Sequence, residues 1–126
     1  MVTTTSSIEK LHFDHRLWMN ELSFFSDELR IYERRLEDLV NKNNETKVLS
    51  LLEQFQNQFI RQREVLEELH HNIKVHEQKI GEALRRGEEA PLDPNFHDYM
   101  KGEMESYRNI YRDLKRKFYS FLARYL

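Results

Sequence analysis

Six histidines set among carboxylates at helical spacing are the residues of this chain best equipped for chemistry. His15, His76 and His97 stand where a helix would turn them inward, while His12, His70 and His71 fall on its flanks or outside. Imidazole titrates near neutral pH and binds zinc, iron or manganese through a free ring nitrogen. Folding the chain into hairpins about Asn43-Asn44 and Ala90 sets His15 opposite about Asn72, and His76 opposite Leu11 and Met104. His12, His15, His76 and Glu103 then gather in one half of the molecule, with Asp14 and Glu77 close by. A metal held by that set of four is the most specific chemistry this grouping would support.

Motif tests favour a plainer outcome. Glu9-x-x-His12, Glu67-x-x-His70 and Glu68-x-x-His71 each supply one Glu-x-x-His step of a carboxylate-bridged di-iron bundle. Such a centre needs two facing steps and a Glu from each of two further helices, more than three helices can provide. Seam histidines that stay neutral, hydrogen-bonded to acids or water, are the simpler expectation. The chain has no glycine-rich phosphate loop, nucleophile elbow, His-Glu-x-x-His or dinucleotide fingerprint, so neither an enzyme nor a cofactor is expected. With no cysteine, disulfides and thiolate metal sites are excluded.

The elements that would position these groups are written in the apolar periodicity. Ile8, Leu11, His15, Trp18, Leu22, Phe25, Leu29, Tyr32, Leu36 and Leu39 follow unbroken three-four spacing, the inward seam of a long helix. A second seam runs Val48, Leu52, Phe55, Phe59, Gln62, Leu66, Leu69, Ile73, His76, Ile80 and Ala83, and a third from His97 through Met100, Met104, Tyr107, Tyr111, Leu114, Phe118 and Phe121 to Tyr125. Gln62 interrupts the second seam and is expected to set register by meeting a tyrosine hydroxyl or an acid. Punctuation gives the bounds. Ser6-Ser7-Ile8-Glu9 reads as a capping box, Asn41 to Asn44 as a stop, Gly87 to Leu92 as a loop, and Asp93-Pro94 as an N-cap with proline at the first helical position. Helices are expected over about 6–41, 45–86 and 93–126.

Short turns between long helices require antiparallel neighbours. The predicted fold is all-α: one domain over residues 1–126, an elongated antiparallel up-down-up three-helix bundle with coiled-coil-like packing, α3 returning beside α1. This resembles the spectrin-repeat style of three-helix coiled coil in layout, and in layout alone.

Twenty basic against 22 acidic side chains leave a net charge of −2, which offers no global field to nucleic acid or an anionic membrane. The base-rich stretch from Arg108 to Arg124 reads as the solvated end of a helix, where bases complement the dipole. No apolar h-region follows Met1 and no stretch reaches the roughly 18 apolar residues of a membrane span. A cytoplasmic location is expected, with neither nucleic acid nor membrane as partner.

One column does not fit a single core. Leu17, Phe24 and Ile31 add large apolar side chains at heptad spacing outside the first seam, and Asp14, Glu21 and Glu28 lie between the two. The expectation is an association surface: Leu17, Phe24 and Ile31 bury area against a protein partner or a second copy in a homodimer, while Glu21 and Glu28 select register through bases on that partner.

Overall fold

The computed structural model describes residues 4–89 and 94–125. Its elements are α1 Thr4–Lys42, α2 Thr46–Arg85 and α3 Pro94–Tyr125, with no strand among the described residues. At 1.5 Å per residue the rods are about 45–60 Å long. They form the expected up-down-up bundle, and among the described residues no helix is long and apolar enough to cross a membrane.

Local chemistry explains where each helix stops. Asn43 ends α1 by donating both its backbone N–H (3.1 Å) and its side-chain Nδ2 (2.7 Å) to the Leu39 carbonyl. Past Arg85, Gly87 adopts φ +70°, and the amides of Gly87 and Glu88 reach back to the Leu84 and Ala83 carbonyls at 3.2 and 2.9 Å. This is the paired C-terminal closure that needs a left-handed residue, which glycine adopts without a Cβ clash. Pro94 opens α3 as expected, because its missing N–H is one the first turn leaves unpaired anyway. Asp93 and Leu126 lie outside the described residues. The start of α1 differs from expectation: the helix already includes Thr4, two residues before Ser6.

All three seams turn inward. Tyr32, Phe59 and Phe118 form an aromatic knot, with Phe118 edge-on to Phe59 at 5.0 Å and to Tyr32 at 5.6 Å between ring centres. Phe59 and Phe118 are fully enclosed. Edge-to-face geometry sets the positive ring edge against the negative face of its neighbour. Burying side chains of this size contributes roughly 1.5–3 kcal/mol each.

α3 returns beside α1 as expected, but the three backbones are not equally close. The α1 and α2 backbones lie closest, then α2 and α3, whereas α3 stands farther from α1 and meets it through long side chains. Bulk is the cause. Phe25 faces Tyr111 and Tyr107 at 4.5 and 5.6 Å, and rings of that size between α1 and α3 hold the two backbones apart.

The core is not continuous along the axis. A large apolar cluster runs from Trp18 to Leu39 on α1 with Val48 to Ile73 on α2, and a small one comprises Leu11 and Ile80 with Ile8 against them. Between them, one heptad step along each helix, sit His15 and His76.

Candidate functional site

That interruption is a histidine layer. His15 is 1% exposed. Its ring lies 5.5 Å edge-on from His76 on α2 and 6.2 Å from His97 on α3, so all three helices contribute one imidazole. Trp18, one turn up from His15, stacks on His97 at 5.2 Å, and Phe96 lies 4.3 Å from His76. Aromatic neighbours bury His15 and His76, while His97, Asp14, His12 and Glu77 stay partly exposed at the edge of the layer.

Glu77 is the chief of those acids. Its two carboxylate oxygens are divided between two imidazoles, Oε2 to His12 Nδ1 at 2.6 Å and Oε1 to His15 Nδ1. A carboxylate only accepts, so both histidines donate through Nδ1. Across the layer, Asp14 meets His97 Nε2 at 3.1 Å. Burial depresses the His15 pKa; the Glu77 hydrogen bond and charge oppose that, and His97 and His12 add to it, leaving the net value below the ordinary one. His15 is therefore neutral at physiological pH, and its Nε2 is buried with no hydrogen-bond partner among the described residues.

Of the expected metal ligands, the structure brings His12, His15 and His76 into one neighbourhood but not around one point. His12 and His15 share Glu77, His76 meets the face of the layer through ring contacts, and Glu103 enters none of these interactions. Among the described residues, no group of three or more His, Asp or Glu side chains is arranged to hold a metal ion. The hairpin register explains the difference. Glu77, not Asn72, lies across from His15, about one helical turn farther along α2.

The acids of α1 are committed within the chain. Glu21 accepts from Arg108 Nε at 2.6 Å, and Glu28 accepts from the Tyr111 hydroxyl at 2.6 Å and from Lys115 Nζ at 3.0 Å. Burial alone would raise the Glu28 carboxyl; the Tyr111 and Lys115 hydrogen bonds and the Lys115 charge outweigh it and hold it below its ordinary value. Burial, then the hydrogen bond to Glu28, pushes the Tyr111 hydroxyl far up, keeping it a donor. Glu21 and Glu28 therefore set the register of α3 on α1, which corrects their expected role toward a partner. The signal was in the sequence: Arg108 and Lys115 repeat the heptad step of Glu21 and Glu28, each pair 87 residues apart.

Gln62 also departs from expectation. Tyr107 donates to its backbone carbonyl at 3.3 Å, not to its amide, and its Oε1 is buried with no partner among the described residues.

The Leu17, Phe24 and Ile31 column stays outside the core, at 50%, 59% and 62% exposed. Phe13, one turn before Leu17, is 62% exposed. On α2 and α3 the exposed large apolar residues, among them Ile60, Leu84, Tyr99 and Ile110, form no such heptad-spaced column. The chain matches no protein-family model, no curated protein and no solved structure.

Proposed function

We propose that this protein is a cytoplasmic, non-enzymatic association module that docks to protein through the outward side of α1. The observation that carries the reading is the exposed column Leu17, Phe24 and Ile31. Three large apolar side chains at heptad spacing form a straight strip, the shape a second helix covers. Apolar side chains left exposed in the lone chain keep unfavourable contact with water, and burying them against a partner drives association. The histidine layer fits a structural role in this reading, since Glu77 and Asp14 pair with its imidazoles and Trp18 and Phe96 pack against them. The cysteine-free composition makes no demand on an oxidising compartment.

A photo-crosslinking phenylalanine analogue placed at position 24 tests this in the native cell, with position 57 as control because Asn57 is exposed on α2. A covalent protein adduct from position 24 and none from position 57 is expected, whether the captured chain is another protein or a second copy. No adduct at 24, or equal adducts at both, overturns the reading.

A further inference from the structure

The outward side of α1 carries more than three apolar residues. Lys10, Phe13, Leu17, Asn20, Phe24, Asp27, Ile31, Arg34 and Asp38 follow a second unbroken three-four spacing, and every one of them is exposed. This outer seam lies about 160° around the helix from the core seam and interleaves apolar Phe13, Leu17, Phe24 and Ile31 with polar or charged residues, so α1 presents a mixed heptad-spaced stripe opposite its core side.

The order of residues in that stripe is informative. Read from either end toward Phe24, the positions pair by chemistry: Lys10 with Asp38, Phe13 with Arg34, Leu17 with Ile31, Asn20 with Asp27, and Phe24 with itself. Opposite charges match at the ends, a guanidinium matches an aromatic ring, an amide matches a carboxylate, and apolar residues match at the middle. A stripe that complements its own reversal is what a two-fold axis requires, because each contact then occurs twice with the partners exchanged. A parallel pairing would instead set Lys10 on Lys10 and Asp38 on Asp38.

Flanking charges agree. On the α3 side of the stripe, an antiparallel pair brings Glu21 near Glu28 of the other copy, a repulsive contact for free acids. Both are neutralised at home, Glu21 by Arg108 and Glu28 by Lys115. On the other side, Arg30 pairs with the stripe residue Asp27 at 3.7 Å within its own chain; both side chains are exposed, so Asp27 can exchange that contact for Asn20 of the other copy.

We infer that the occupant of this surface is a second copy of the same chain, bound antiparallel through α1 with Phe24 on the two-fold axis. This rests on the docking role proposed above and names its partner. The two α1 helices become the centre of a six-helix assembly, each flanked by its own α2 and α3.

Sedimentation equilibrium of the full chain, together with disulfide trapping, tests the inference. The wild type is expected to sediment as a dimer. The Lys10→Asp variant weakens the dimer about tenfold by placing like charges at both ends, and the Lys10→Asp/Asp38→Lys variant restores it. In this cysteine-free chain, Lys10→Cys and Asp38→Cys oxidise to a cross-linked dimer only when mixed, since the antiparallel register separates like positions by about 42 Å. Circular dichroism confirms that each variant stays helical. A wild type that is monomeric at every concentration overturns the inference, and so does a Lys10→Cys chain that cross-links to itself. If the chain is monomeric yet position 24 captures a different protein, only the choice of partner fails. If position 24 captures nothing, the docking role fails with it.

Discussion

His15 couples the interior of the bundle to pH. Its pKa is below the ordinary 6.5 in the folded chain because burial disfavours the imidazolium. As pH falls through that value, the unfolded chain takes up a proton that the folded chain refuses, so stability declines; above it, His15 is neutral in both states and contributes no slope. Urea midpoints at about pH 7.5 and about pH 5.5 should differ more for the wild type than for His15→Gln, which keeps a donor for Glu77 but does not titrate. An unchanged slope would show that His15 is not the group responsible. Glu28 acts in the same direction at lower pH: its depressed pKa stabilises the fold above 4.5 and that contribution is lost as pH falls below it. Glu28→Gln should cost about 1–2 kcal/mol at neutral pH, with the deficit narrowing in acid. Residue chemistry of this kind was only half legible. The seam positions of His15 and His76 put both imidazoles in one half of the bundle, but whether Glu77 or Glu103 met them depended on a hairpin register finer than one turn.

At the scale of elements, the glycines separate intrinsic helix preference from turn geometry. Gly102 lies within α3, is exposed, and would meet nothing within 4 Å if it carried a Cβ. Gly102→Ala should therefore stabilise the protein by about 0.5–1 kcal/mol, chiefly by reducing the freedom of the unfolded chain. Gly87 is the reverse case, with open space around it but a φ of +70°. Gly87→Ala should destabilise by about 1 kcal/mol, because alanine strains in the left-handed region that closes α2. Thermal denaturation of the two variants beside the wild type checks both signs. Helix identity was readable throughout because each seam keeps one period for 29 residues or more, and the stops at Asn43 and Gly87 use residues with specific backbone roles. The start of α1 is less legible: the helix already includes Thr4, ahead of the start that Ser6 and Glu9 indicate.

The whole molecule is a bundle in which α1 has two apolar sides and α2 and α3 have one each. Its inner seam builds the core and its g-like acids Glu21 and Glu28 lock α3 in place, so the outer stripe is left without a role inside the chain. The sequence exposed this surplus through Leu17, Phe24 and Ile31. The tie of Glu21 and Glu28 to α3 lies in the heptad step they share with Arg108 and Lys115, a signal that α1 read alone does not carry. Phe24 separates the core from the proposed interface: at 59% exposed it adds little to the core, and it stands at the middle of the outer stripe through which docking is proposed. The most direct measurement is sedimentation velocity of wild type and Phe24→Asp side by side, with helicity and melting recorded on the same samples. The account predicts an associated wild type and a monomeric variant of equal helicity, with stability per chain changed by no more than about 0.5 kcal/mol. A Phe24→Asp chain that associates as the wild type does, or that loses its helices, would contradict it.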